Sequence, residues 1–266
     1  MAPIKFYKYQ GTGNDFVMID DRDQRFPYDP AQAEKFDRRV VSRICDRKFG
    51  VGADGLILIR NHERYDFEMI YFNADGSQSL CGNGSRCAVH FANHLGIIRD
   101  STHFLAIDGP HEAFIKEGLI HLKMHDVSNV EKINSHWYID TGSPHYVKFI
   151  KNLEEFDVYN EGKTIRSDQR FAPGGTNVNF VEANGANELF VRTFERGVED
   201  ETLSCGTGVT AVSLAASYKD FASPVTIKTR GGELQVSFRK VNEQKFEDIY
   251  LIGPAGMVFE GAINIL

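Results

Sequence analysis

Phe67-Glu68-Met69-Ile70-Tyr71-Phe72-Asn73 is followed, eight positions after Asn73, by Cys81-Gly82-Asn83-Gly84. Leu189-Phe190-Val191-Arg192-Thr193-Phe194-Glu195 is followed, ten positions after Glu195, by Cys205-Gly206-Thr207-Gly208. Each passage is a strand-like apolar run, a polar turn, and then a cysteine set ahead of Gly-x-Gly and a helix-like stretch. The cysteines lie 205 − 81 = 124 residues apart and the strand ends 195 − 73 = 122 apart. A third block agrees. Thr12-Gly13-Asn14-Asp15-Phe16-Val17 parallels Thr141-Gly142-Ser143-Pro144-His145-Tyr146-Val147, offset by 142 − 13 = 129 with one inserted residue. Three blocks in the same order, spaced at nearly half of 266 residues, predict two homologous α/β halves.

Outward from these blocks, strands are expected at 5–9, 16–20, 56–60, 67–73, 137–140, 145–150, 177–182 and 188–194, with short strands between 102 and 124 and after 218. Helices are expected over 31–46, where Pro30 opens the first turn and Phe36, Val40, Val41 and Ile44 follow at helical spacing, and over 85–95 and 206–218. No low-complexity segment or flexible linker interrupts the chain.

Composition narrows the function. Apolar residues make up 42% and charged residues 25%, as in ordinary globular proteins. At this length a sizeable core can form without disulfide staples. The net charge of −7 and pI near 5.7 argue against a nucleic-acid partner, which would call for a basic face. No apolar run approaches the ~18 residues of a membrane helix, and the N-terminus has no signal-like segment, so a cytoplasmic protein with no membrane partner is expected. There Cys45, Cys81, Cys87 and Cys205 should be reduced.

The duplicated cysteine carries the chemistry. A helix N-terminus presents unpaired backbone N–H groups and about half a positive charge, which lowers the pKa of a thiol placed there. Glycines beside it let a ligand approach the backbone and leave N–H groups for a carboxylate. A lone cysteine of this kind could simply pack the helix start; two in matched positions suggest a pair. Two equivalent acid/base groups suit inversion at one carbon: one thiolate removes a proton and the other thiol returns one to the opposite face. Stabilisation of the developing charge by N–H groups would let this proceed with no cofactor. Cys45 and Cys87 have no counterparts in the other half and read as inert core residues. Gly206-Thr207-Gly208-Val209-Thr210-Ala211 fits a loose dinucleotide pattern, but the other copy ends in Cys87 and no acidic residue closes a strand about 20 residues on. His90 and His94, and His121 and His125, lack partners for a metal spacing, so no metal is expected. Asp54, Asp75 and Glu199-Asp200-Glu201 read as turn chemistry and solvated charge.

As a set, Gly11-Thr12-Gly13-Asn14-Asp15-Phe16, Phe72-Asn73-Ala74-Asp75-Gly76-Ser77, Cys81-Gly82-Asn83-Gly84-Ser85-Arg86-Cys87, Gly142-Ser143-Pro144-His145, Thr176-Asn177-Val178-Asn179-Phe180, Glu195-Arg196-Gly197 and Cys205-Gly206-Thr207-Gly208 span nearly the whole chain, and with them it resembles the diaminopimelate epimerases. The resemblance implies a mixed α/β fold of two pseudo-symmetric halves, each a curved, mainly antiparallel sheet wrapped around a central helix. The halves would be 1–126 and 127–252, with a C-terminal strand within 253–266 returning to the first and the active site between them. It implies cofactor-independent interconversion of LL- and meso-diaminopimelate on the route to lysine and cell-wall peptide, with a homodimer as the candidate assembly.

Carried over residue by residue, Cys81 and Cys205 are the acid/base pair. Asn14, Asn73 and Asn177 hold the substrate's amino and carboxylate groups. Gly82-Asn83 and Gly206-Thr207 form the backbone cradle. In the pair Glu195-Arg196 the Arg forks a carboxylate while the Glu receives an ammonium and lies near the thiols, and His145 sits beside the catalytic centre. Three features depart from many members: Gly55 stands where Gln is common, Ser143 where Asn precedes Pro-His, and the Glu195–Cys205 spacing is one residue longer. Proline and hydroxyproline racemases carry His where this chain has Asn83, and they lack the Glu195-Arg196 pair. A carboxylate-using isomerase of the same fold, or a non-catalytic binder, would have no need of two cysteines.

Overall fold

Strand β1 (Ile4–Gly11) folds back on β2 (Asn14–Asp20) through Thr12 and Gly13, both in the left-handed region at φ 52° and 84°. Two positive φ values in a two-residue turn match the right-handed twist of the flanking strands. In this computed structural model, which describes residues 3–264, the first unit continues with α1 (Arg39–Cys45), β3 (Gly55–Arg60), β4 (Phe67–Asn73), α2 (Gly82–His94), β5 (Ser101–Ala106), β6 (Gly109–Lys116) and β7 (Leu119–Lys123). The second unit contains β8 (Val130–Ile133), β9 (His136–Asp140), β10 (Pro144–Phe149), α3 (Val158–Arg166), β11 (Asn177–Ala183), β12 (Glu188–Glu195), β13 (Asp200–Thr202), α4 (Gly206–Ala216), β14 (Val225–Thr229), β15 (Gly232–Lys240) and β16 (Phe246–Gly253). The last strand, β17 (Gly256–Ile263), pairs antiparallel with β1 from Ile4↔Ile263 to Gln10↔Gly256. The contacts divide the chain after Leu122 and after Gly253, with Pro254 onward belonging to the first unit.

Each unit has the same internal order of pairings. In the first, β17–β1–β2 are antiparallel, β2–β3 parallel, β3–β4 antiparallel, β4–β5 parallel and β5–β6–β7 antiparallel. In the second, β8–β9–β10, β10–β11, β11–β12, β12–β14 and β14–β15–β16 repeat that pattern step for step, with short β13 added beside β12. The parallel steps need crossovers. One of them, β4 to β5 or β12 to β14, is made by α2 or α4, the helix that follows the Cys-Gly-x-Gly block. The fold is thus the mixed α/β duplication expected from the sequence.

Burial explains why those two helices sit inside. Residues 210–216 of α4 are all fully buried, and on α2 Ser85, Arg86, Cys87, Ala88, Val89, Phe91 and Ala92 are too. A helix that is apolar or small all round is a buried helix. Strand β3, Gly55-Leu56-Ile57-Leu58-Ile59-Arg60, is buried along its whole length, the pattern of a strand covered on both faces. One face meets α2; the other meets α1, where Val17, Ile19, Val41, Ile44, Leu56, Leu58 and Phe72 form a core.

The expected helix over 31–46 is broken. A 3-10 segment, Pro30–Lys35, is capped by Asp29 and kinked at Gln32 (φ −133°, ψ 36°), and α1 begins only at Arg39. None of Pro30–Lys35 is buried, so no packed face propagates the turn. Phe36 is extended at φ −67°, ψ 127°, which carries its ring to Tyr28 and Phe72 at 5.1 and 5.4 Å. Helix α3 and strand β8 were not anticipated. In α3 the obstacle is Gly162, a poor helix former. A Cβ at this position would lie 2.4 Å from Phe194 Cβ, so the glycine lets α3 seat against β12.

Candidate active site

Cys81 ends the turn after β4 and caps α2 in an extended conformation, φ −132°, ψ 115°. Its Sγ accepts the Gly84 N–H at 3.4 Å, one of the N–H groups a helix start leaves unpaired, and its thiol donates to Asn14 Oδ1 at 3.4 Å. Asn14 is held in turn, its Nδ2 donating to Asp54 Oδ2 at 2.6 Å. Arg47 bonds both Asp54 and Asp15 at 2.8 Å, and Lys8 pairs with Asp15 at 2.6 Å while also donating to the Gly52 carbonyl. Burial works to raise the Asp15 carboxyl, but bonds from Arg47 and Lys8 outweigh it and hold the group well below the usual range. Asp54 is therefore more than turn chemistry: it fixes the amide beside Cys81.

Asn73, at the end of β4, donates to Ser77 Oγ at 3.0 Å and Ser79 Oγ at 3.1 Å, inside the loop that leads to Cys81. Asn83 is buried in the first turn of α2. Arg86, one turn further on, is fully buried and donates to Thr12 Oγ1 at 2.9 Å. Burial pushes this guanidinium down to about 10, still charged at neutral pH. Burial also pushes the Cys45 and Cys87 thiols up to about 12, so both stay protonated and unreactive. Gly55 could take no side chain as the strands stand, since a Cβ would lie 2.4 Å from the Tyr71 ring and 2.6 Å from the Phe72 carbonyl oxygen.

In the second unit Cys205 caps α4 with almost the same backbone, φ −124°, ψ 113°. Its Sγ lies 3.5 Å from Thr207 Oγ1, and Thr207 Oγ1 lies 2.9 Å from His145 Nε2. Asn179 Nδ2 stands 3.1 Å from His145 Nδ1. Gly208 is required here, because a Cβ would meet Asn179 Oδ1 at 2.5 Å and Cys205 Sγ at 3.3 Å. Asn177 spends its carboxamide on the protein: Nδ2 donates to Ser143 Oγ at 2.8 Å and to the Pro144 carbonyl at 3.0 Å, and Oδ1 accepts the Arg196 N–H at 2.9 Å. Glu195 Oε2 accepts from Thr202 Oγ1 at 2.9 Å. The Arg196 guanidinium donates to the Gly174 carbonyl at 3.4 Å, and its charge is among those that hold the Glu199 carboxyl below its ordinary value.

His145 is fully buried, and burial, with the nearby Arg196 charge adding, pushes it down to about 3. The unfolded chain takes up this proton below its ordinary value of 6.5 and the native state does not, so the contribution to stability is complete above pH 6.5 and is lost toward pH 3. Each pKa unit corresponds to about 1.4 kcal/mol. Urea titrations of the native protein and His145→Gln should show the native advantage shrinking between about pH 6.5 and pH 4. A pH-independent difference would mean that the histidine is not held neutral.

The expected site residues thus gather into two polar clusters, one at each helix start: Asn14 with Cys81, and His145 with Thr207 and Cys205. Asn73, Asn177, Glu195 and Arg196 lie on strand ends or in the turns beside them. Asp54 reads in the sequence as turn chemistry, and Arg86 and Asn179 stand in quoted motifs with no role assigned. For Asn179 a signal existed: it is a polar residue two positions after Asn177, on the same face of a strand whose other residues from Val178 to Val181 are apolar. Among the described residues no group of three or more His, Cys, Asp or Glu side chains is arranged to hold a metal ion, and no helix is long and apolar enough to cross a membrane.

Known proteins resemble the chain along its length. A family model for diaminopimelate epimerase matches residues 6–117 and 137–258. A diaminopimelate epimerase of Flavobacterium psychrophilum is 49% identical over 264 residues, covering 98% of this chain and 100% of its own, and one of Chlorobaculum tepidum is 42% identical, covering 96% and 99%. Solved structures share the fold at lower identity. A PhzF-family phenazine biosynthesis protein of Bacillus anthracis has a TM-score of 0.75 at 16% identity, with all of both chains covered. A probable proline racemase of Agrobacterium radiobacter K84 has a TM-score of 0.66 at 13%, covering 99% of this chain and 93% of its own. By its sequence along nearly its full length, this chain belongs to the diaminopimelate epimerase family.

Proposed function

We propose that the protein interconverts LL- and meso-2,6-diaminopimelate by moving one α-proton between two sulfurs, Cys81 and Cys205. The observation that carries this reading is the repeated cap: two cysteines hold the same extended backbone at the start of two topologically matched helices. The family, and relatives named for this epimerase at 49% and 42% identity, supply the substrate. As one thiolate takes the α-proton, an S–H bond forms and the C–H electron pair is left on carbon, delocalised into the α-carboxylate. Backbone N–H groups at Gly82-Asn83 and Gly206-Thr207 accept that growing charge, a role suited to unpaired helix-start donors. The second thiol then gives its proton to the opposite face, inverting the centre. Asn14, Asn73 and Asn177 frame the substrate's polar groups, Glu195 takes an ammonium and Arg196 the distal carboxylate. The chemistry proceeds without a cofactor in a reducing cytoplasm, where both sulfurs stay reduced, and the candidate assembly is a homodimer. Its products serve lysine and peptidoglycan precursor synthesis.

Two sulfurs that must reach one carbon from opposite sides must also be able to reach each other. Without reductant, activity should be lost as a Cys81–Cys205 disulfide forms, and should return with dithiothreitol. Peptide mapping of the oxidised, inactive protein decides the matter. Modification confined to Cys45 or Cys87 would rule out a shared two-sulfur centre.

A further inference from the structure

The two helix starts are alike in backbone but not in the polar groups behind the sulfur. Behind Cys205 runs a chain of hydrogen bonds whose direction can be worked out atom by atom as far as the Thr207 oxygen. Asn179 Nδ2 donates to the Tyr146 carbonyl at 3.2 Å, and a carbonyl oxygen can only accept. Asn179 Oδ1 accepts from Thr193 Oγ1 at 3.0 Å. The amide cannot turn over without setting its oxygen against the Tyr146 carbonyl, so a nitrogen faces the ring. His145 Nδ1, 3.1 Å away, must then be the acceptor and carry no proton. A neutral imidazole has one N–H, which therefore sits on Nε2 and donates to Thr207 Oγ1 at 2.9 Å. That bond fills one lone pair of the hydroxyl oxygen and leaves its hydrogen free to turn toward the sulfur 3.5 Å away, a contact in which either atom can donate.

We propose that Asn179, His145 and the Thr207 hydroxyl form a one-way relay that makes Cys205 Sγ a hydrogen-bond acceptor in both of its protonation states. The inference rests on the two-thiol reading above and extends it. As a thiolate, the sulfur gains a donor that stabilises its charge. As a thiol, it keeps its own hydrogen away from Thr207 and available to a substrate carbon. Asn179 is the lock on the ring tautomer and His145 the link, so both are positioning residues acting through Thr207. Full burial of His145, which holds the ring neutral, is what the relay needs: an imidazolium would carry a proton on Nδ1 against the Asn179 amide N–H. The counterpart positions in the first unit carry no such chain. At offsets of 129 and 122 from the matched blocks, His145 and Asn179 correspond to Phe16 and Ile57.

Three variants test this on the intact protein, with alkylation at Cys205 and Cys81 followed separately by mass spectrometry across pH. Arg196, whose charge acts on His145, and its neighbour Glu195 are kept throughout. Thr207→Val keeps the shape and removes the hydroxyl. The Cys205 alkylation midpoint should rise by about one pH unit or more, the loss expected for one hydrogen bond to a charged group, with Cys81 unmoved. The turnover number should fall about ten-fold with KM little changed, because the backbone N–H of residue 207 remains. Thr207→Ser should restore native values. Ring-nitrogen NMR should find Nδ1 of His145 unprotonated in the native protein and protonated in Asn179→Asp, where an oxygen replaces the donor. The relay is overturned if Thr207→Val leaves the Cys205 midpoint in place, if Thr207→Ser shifts it equally, or if Nδ1 carries the proton in the native protein. A native protein inactive on diaminopimelate whose Cys205 midpoint still shifted would overturn the substrate reading and leave the relay standing.

Discussion

Replacing Cys81 or Cys205 by alanine should reduce epimerisation by about a thousand-fold or more while the protein stays folded. A positioned acid or base contributes roughly 10²–10⁴-fold, and this reaction needs one of each for every turnover. The fold should tolerate either change. Cys205 makes no side-chain cap bond to α4, and Cys81 accepts one N–H, a loss of about 1 kcal/mol for a typical cap. Asn14, to which the Cys81 thiol donates, remains anchored by Asp54. Circular dichroism and thermal unfolding close to native, with turnover at background, is the expected combination. Near-native turnover by either variant would remove that cysteine from the chemistry.

Arg196→Leu should cost roughly 2–5 kcal/mol of transition-state binding, or about thirty-fold to several thousand-fold in kcat/KM, the range for removing one partner of a buried charge pair. The expectation comes from what the side chain lacks. Its backbone is fixed by Asn177, its guanidinium has a long bond to the Gly174 carbonyl, and the nearby Glu199 carboxylate is already paired with Arg166, which leaves room for a closer carboxylate partner. A substrate with a second carboxylate would supply one. Lysine, which has no such group, should accordingly not be racemised by the native protein. Steady-state kinetics of the variant on diaminopimelate, together with an assay of native protein on lysine, check both points. A two-fold effect, or brisk lysine racemisation, would point to a broader amino-acid racemase.

Much of this was legible because the fold is a duplication. The Cys-Gly-x-Gly blocks, the strand ends Asn73 and Glu195 and the Thr-Gly turns recur at nearly constant offset, and that repetition ties local patterns to one architecture. Local reasoning failed where tertiary contacts overruled propensity. Phe36 fits a helical stripe in sequence, yet leaves the helix to join Tyr28 and Phe72. Gly162 hides α3 because the glycine answers to Phe194, 32 residues away. Asp54 looked like a solvated turn residue, and its bond to Asn14, 40 positions earlier, is invisible until the strands are paired. The polar groups behind Cys205 come from three separate elements, β10, β11 and α4, so no spacing along the chain announces them.

On the proposed mechanism the protein inverts an α-carbon of diaminopimelate by proton transfer between two thiols, with no cofactor. LL-diaminopimelate incubated in heavy water with purified, reduced and chelator-treated protein tests it directly, α-deuterium being followed by NMR. Meso product carrying deuterium at the inverted carbon should form without pyridoxal phosphate or metal, and alkylation of Cys81 or Cys205 should abolish it. Unexchanged LL-diaminopimelate after prolonged incubation, or exchange that appears only when a cofactor is added, would contradict it.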